Sequence, residues 1–183
     1  MEPDHQAGEV LRFWFEKLEP KQWWKKDPEL DDLIRSRYGK LQRRAAAVEL
    51  HSWRNSAKGR LAEIILLDQF SRNIFRNTPL AYASDPLALG LAQEAISAKA
   101  DESLEPQEQT FLYMPFMHSE SIEIQNQSIM LFQFLDLKEN LDSAIRHQQI
   151  IETFGRFPHR NRILGRVSTK REETFLKQPG SSF

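Results

Sequence analysis

The stretch Leu61-Ala-Glu-Ile-Ile-Leu-Leu-Asp-Gln-Phe-Ser-Arg-Asn-Ile-Phe75 places the tightest constraint on the fold. At 100° per residue, Leu61, Ile64 and Ile65 lie on one side of a helix, and Leu66, Leu67, Phe70 and Ile74 on the other. A helix that is apolar around most of its circumference belongs at the centre of a domain, wrapped by other elements. The run Ile122–Leu135 reads the same way, because Ile124, Ile129, Met130, Leu131, Phe132, Phe134 and Leu135 cover most directions.

Helix punctuation surrounds these two runs. Asp27-Pro28, Asp85-Pro86 and Glu105-Pro106 each put proline where a helix begins. A first-turn proline loses nothing there, since its missing N–H would be unpaired anyway. Asp27 and Asp85 are positioned to cap their own helices through side-chain oxygens, and Thr169 with Glu172 reads as a capping box. Pro115 removes a hydrogen bond to the preceding turn and should kink or end its helix near His118. No segment alternates in the manner of a strand. The expected helices are Gly8–Lys17, Pro28–Leu50, Ala57–Arg76, Pro86–Lys99, Pro106–Met117, Ser121–Leu135, Leu141–Phe154 and Lys170–Leu176. Short connections make neighbours antiparallel. The expected fold is all-α, one domain over residues 1–183, since 183 residues is the size of an ordinary domain.

Composition excludes several functions. There is no cysteine, which removes disulfides, thiol chemistry and sulfur-based zinc sites. A net charge of -1 gives no field favouring nucleic acid or an anionic membrane. The acidic start Met1-Glu-Pro-Asp-His5 does not resemble a signal peptide, and Ile64–Leu67 is too short to span a bilayer. A cytoplasmic protein is expected. The zinc-protease, Walker, dinucleotide and serine-hydrolase motifs are missing. Di-iron bundles need two inward Glu-x-x-His pairs, and the chain offers Glu2 to His5 alone. No metal and no cofactor are therefore expected. Trp23-Trp24 and Phe13-Trp14-Phe15 lack a basic background and read as core or loop anchors.

Three groups of residues could carry chemistry. Asp68 and Arg72 are spaced i,i+4 on a face whose first half is apolar, with Arg76 a turn further on. A guanidinium at such a place needs a carboxylate or phosphate acceptor, and an internal Asp68–Arg72 pair satisfies it as well as a ligand does. The loop Phe154–Arg166 crowds Arg156, Arg160, Arg162 and Arg166 around His159 and Asn161. The segment from Arg156 to Arg171 contains no acid, so the loop reads either as an anion site or as a rigid turn whose arginines pair elsewhere. His147 lies at the centre of an apolar stripe, where a hydrogen-bonded core histidine is the ordinary outcome. His118 and Glu120 follow the Pro115 break, which makes His118 the better acid–base residue.

The phrases Val10-Leu-Arg-Phe-Trp-Phe15, Trp23-Trp24, Ile65–Arg76, Tyr113-Met-Pro-Phe-Met-His-Ser-Glu120, Phe154-Gly-Arg-Phe-Pro-His-Arg-Asn161 and Leu164-Gly-Arg166 resemble those of a bacterial family known as domain of unknown function 924. The resemblance covers nearly the whole chain. It implies a tetratricopeptide-repeat-like α-α superhelix, although the Trp–Leu–Gly–Tyr signature of those repeats is not present. Ser71 departs from the family, which usually has proline there. The family has no established activity, so no residue inherits a role. Two functional readings follow from the residues. In one, Asp68, Arg72, Arg76, Glu120, Arg156, His159, Arg160 and Asn161 line a pocket for a small anionic molecule, with His118 or His147 moving a proton. In the other, the helices form a scaffold for a protein or peptide, and the polar motifs are consumed by internal salt bridges.

Overall fold

The computed structural model describes residues 3–182, and all regular secondary structure among them is helical, with no strand. Helix α1 (Pro3–Arg12) runs on into a π-helical turn at Phe13–Lys17. The short α2 (Pro20–Trp24) leads to α3 (Pro28–Ala46). Next, α4 (Ala57–Ile65) continues through a second π-helical turn, Leu66–Phe70, into α5 (Ser71–Ile74). The chain closes with α6 (Asp85–Ser97), α7 (Pro106–Met117), α8 (Ile122–Leu135), α9 (Lys138–Phe154) and α10 (Lys170–Phe175).

The run beginning at Leu61 is central, as its pattern requires. Leu61, Ala62, Ile64, Ile65, Leu66, Leu67 and Phe70 are all shut off from solvent. Helices α1, α6 and α7 pack around α4, while α3 covers the π-turn and α5. Burying a side chain of this size stabilises the fold by about 1.5–3 kcal/mol. Trp14 stands in the same core against Phe70 and Phe111, and its carbonyl accepts the Trp23 Nε1 hydrogen at 2.9 Å. Trp14 and Trp23 are thus anchors, while Trp24 is 59% exposed.

The second apolar run is not enclosed. Helix α8 packs on α7 and α9, and Met130 and Phe134, one turn apart, stand 62% and 88% exposed. Periodicity reports which directions are apolar. It does not report whether an element lies in each direction.

The helix ends follow local chemistry. The Asp27 carboxylate accepts from the Glu29 and Leu30 amides. Thr169 and Glu172 exchange hydrogen bonds at 2.7 and 3.2 Å, closing the capping box. Pro115 sits in the last turn of α7, which ends at Met117 with His118 as its cap. Helix α3 stops at Ala46, short of Leu50, because Val48 turns the chain at φ 61°. Asp85 does not cap α6. It is the helix's first residue, and its carboxylate is engaged elsewhere. The Glu2–His5 spacing involves Glu2, which lies outside the described residues.

The single helix expected over Ala57–Arg76 is interrupted by its π-turn. Such a turn takes in one extra residue and loosens the backbone ladder. The Ser71 hydroxyl donates to the Leu66 carbonyl at 3.3 Å and accepts from Gln42 Nε2 at 3.0 Å, taking up polar groups at the break.

Gly59, near the start of α4, lies against the Trp53 carbonyl. A Cβ there would stand 2.0 Å from that oxygen, which belongs to the backbone and cannot swing away. Gly59→Ala should therefore cost about 3 kcal/mol or more. Gly90 is exposed in α6 with nothing near its missing Cβ, so Gly90→Ala should stabilise by ~0.5–1 kcal/mol. Urea unfolding of the two variants checks the contrast, and a Gly59→Ala protein as stable as the parent would contradict this packing.

A candidate acid–base site

Asp68 is the residue from which the site is built. It lies in the π-turn between α4 and α5 and has no exposed surface. A carboxylate in such a place is tolerated only if several donors reach it. His118 Nδ1 lies 2.7 Å from its Oδ1, Gln69 Nε2 bonds its Oδ2, and Arg72 Nη1 stands 3.2 Å away. Burial alone would raise the Asp68 pKa. The charges of Arg72 and His118, with hydrogen bonds from His118 and Gln69, outweigh it and hold the acid well below its usual range. Ionised, Asp68 can only accept, so the proton on this bond belongs to His118 Nδ1.

His118 is only 14% exposed at its side chain. Burial and the Arg72 charge push its pKa down, against the opposing pull of Asp68. The imidazole is therefore neutral at pH 7, with Nδ1–H held by Asp68 and a lone pair on Nε2. No hydrogen bond joins Nε2 to the described residues. The His147 ring lies 6.3 Å away, centroid to centroid. His147 Nδ1 lies 2.8 Å from the Ser143 carbonyl, one turn back in α9, and its ring meets Phe157 edge-on. Burial pushes its pKa down to about 3.

Arg72 and Arg160 meet over Asp85. Arg72 grips both Asp85 oxygens at 3.0 and 3.1 Å and also donates to the Asp68 carbonyl at 2.6 Å. Arg160 reaches Asp85 Oδ2 at 3.2 Å and the His118 carbonyl at 3.1 Å. Its guanidinium lies between the rings of Tyr82 and Phe157, 4.5 and 4.6 Å from their centroids. Asp68, Asp85, Arg72 and Arg160 thus balance in charge.

The structure brings Asp68, Arg72, His118, His147 and Arg160 together, keeps Glu120 and His159 within electrostatic reach of Arg160, and sends Arg76, Arg156 and Asn161 elsewhere. Arg76 pairs with Asp31 of α3, its Nη2 at 2.7 Å. Arg156 grips Glu172 at 2.6 and 2.8 Å, and Asn161 Nδ2 donates to Ser168 at 3.0 Å beside α10. Glu120 takes Arg166 at 2.7 and 3.0 Å and the Phe157 amide at 2.7 Å. His159 stands by Phe157, with its pKa pushed down to about 3 by burial. The loop that has no acid in its own sequence therefore meets Asp85, Glu120 and Glu172 in the fold. Asp85 and Tyr82 were not among the sequence candidates. Asp85 showed only as a helix start, and Tyr82 gave no signal.

Among the described residues, no three of His, Asp or Glu are grouped as a metal ligand set, and no helix is long and apolar enough to cross a membrane. The arrangement is that of an all-α protein with a buried aspartate–histidine dyad flanked by neutralised arginines. The chain matches the family described as bacterial protein of unknown function (DUF924) over residues 10–180, and it belongs to that family. A solved structure of a protein of unknown function, ATU0120, from Agrobacterium tumefaciens shares the fold. It is 39% identical with a TM-score of 0.92, over 96% of this chain and 99% of that one. No curated protein matches the sequence.

His147 and His159 are neutral in the fold and held near 3, against an ordinary value of 6.5. The unfolded chain therefore takes up their protons first as the pH drops. Stability is full above pH 6.5 and falls from there towards pH 3, by about 1.4 kcal/mol per pH unit for each histidine. Between pH 6.5 and 5 most carboxylates are still ionised and add little. Urea midpoints across that window should show this slope, and His147→Gln should remove one histidine's share. An unchanged slope in the variant would refute the assignment.

Proposed function

We propose that this family member carries a proton-transfer site for a small polar ligand, with His118 as the base and Asp68 as the residue that positions it. The observation that carries this reading is the 2.7 Å bond from His118 Nδ1 to the fully buried Asp68. That bond fixes the tautomer, directs Nε2 away from the carboxylate and would stabilise the imidazolium formed when Nε2 takes a proton. The same division of labour operates wherever a carboxylate orients a catalytic imidazole. His147 stands beside His118 as a second imidazole. The internal matching of Arg72 and Arg160 by Asp68 and Asp85 argues against the strongly anionic ligand that the arginines suggest in sequence. A ligand that is neutral, or whose charge is met by the accessible edge of Arg72, fits the balance better.

An interaction scaffold is the second reading. It is favoured by the closure of Arg76, Arg156 and Arg166 onto carboxylates and by the exposed Met130 and Phe134 of α8.

Imidazole nitrogen NMR and a thermal-shift screen of small polar compounds separate the two. The dyad requires His118 in the Nδ1–H form and neutral at pH 7. Any compound that stabilises the protein at this site should lose at least about 1.4 kcal/mol of binding, a tenfold change, in His118→Gln and keep it in the remote Arg156→Gln. An Nε2–H tautomer, or binding indifferent to His118, would favour the scaffold.

A further inference from the structure

His118 sits where its helix runs out. Its amide donates to the Met114 carbonyl at 3.0 Å, and α7 ends one residue earlier, at Met117. The last carbonyls of a helix lack acceptor partners within it, so whatever holds them comes from elsewhere. Here two side chains do so. Gln125 Nε2, one turn into α8, donates to the Met117 carbonyl at 2.8 Å and to the Ser119 carbonyl at 2.7 Å. Arg160 Nη2, from the loop after α9, donates to the carbonyl between them, that of His118, at 3.1 Å. Three successive carbonyls are thus held from outside the helix.

These bonds bear on the imidazole. A residue has only two soft backbone dihedrals. Rotation about either dihedral of His118 turns a peptide plane that carries the Met117 or the His118 carbonyl, and so draws an oxygen off its donor. With the backbone held, two side-chain torsions remain, and the 2.7 Å bond to Asp68 fixes them. Gln125 suits the task by its chemistry. A carboxamide NH2 has two hydrogens, and both are used, one on each carbonyl. Turned over, the group would set an oxygen against two oxygens. The residue is fully buried, and its Oε1 has no hydrogen-bond partner among the described residues. An unmatched buried oxygen is unfavourable, and an apolar side chain of the same size would avoid it. What such a side chain would lack is the pair of bonds from Nε2.

We infer that Gln125 is a positioning residue of the dyad. By holding the carbonyls on either side of His118, it keeps the imidazole aligned on Asp68, with the proton on Nδ1 and the Nε2 lone pair turned to a ligand. The inference rests on the proton-transfer reading above. It extends that reading to a residue whose side-chain hydrogen bonds go to the backbone, and to neither Asp68 nor the imidazole. Gln125 therefore acts through His118.

Imidazole nitrogen NMR on Gln125→Met tests this. Methionine is close to glutamine in length and volume and donates nothing. Gln125→Glu, the same shape with no hydrogen to give when ionised, is the second variant. Thr169→Ala is the control, because it removes a helix cap at α10 and lowers stability without touching α7. The hydrogen bond on one ring nitrogen sets the tautomer of the other. In each Gln125 variant the share of the Nε2–H form of His118 should therefore rise about tenfold, and any compound that depends on His118 should bind about tenfold more weakly. Thr169→Ala should change neither. If the variants keep the parent's tautomer, or if Thr169→Ala shifts it as far, the inference is overturned and the dyad stands. An Nε2–H tautomer in the parent itself would overturn both. Should neither Gln125 variant fold, couplings through the hydrogen bonds of the parent decide, and their absence from Gln125 Nε2 to the Met117 and Ser119 carbonyl carbons would overturn the inference.

Discussion

One carboxylate organises the interior. Asp68 lies fully buried on the most apolar segment of the chain, where an uncompensated charge would cost several kcal/mol. The groups that compensate it come from both near and far in sequence. His118 comes from the end of α7, Arg72 from the following turn, and Asp85 from the start of α6 holds Arg72 in turn. Arg160, from the loop after α9, completes the ring by taking Asp85 and the His118 carbonyl. The helix ends therefore converge where they do because a buried charge must be met from every side. Packing alone would leave their approach looser.

The arginine-rich loop is tied down by the same kind of pairing. Each of Arg156, Arg160 and Arg166 reaches a carboxylate on another element, and Glu120 also receives the Phe157 amide. The loop is a fastening between α6, α7 and α10. Its Arg160 is held between two aromatic faces, an arrangement suited to a flat, weakly hydrated cation.

What could be read from sequence was what is local. The Asp27 cap, the Thr169–Glu172 box, the end of α7 after Pro115 and the i,i+4 pair of Asp68 and Arg72 depend on residues within one or two turns, and the structure has them. The central place of Leu61–Phe70 followed from its all-round apolarity. Asp85 was misread because an acid before proline looks the same whether it caps its own helix or reaches back to an arginine. Glu120 and Arg166 lie 46 residues apart, and nothing in either neighbourhood announces the other. Helix α8 was misplaced for a related reason, since its sequence records apolar directions and its neighbours decide which of them are covered.

The π-helical turn at Leu66–Phe70 carries a consequence for how such a protein can change. Cores ordinarily resist insertions and deletions, because losing one residue turns everything beyond it by 100°. Here the most enclosed helix already accommodates one residue more than an α-helix needs. Removing one residue from the turn would leave a regular helix with Asp68 or Arg72 swung off its partners. In this protein the chemistry of the centre is set by the length of the chain as much as by the identity of its side chains.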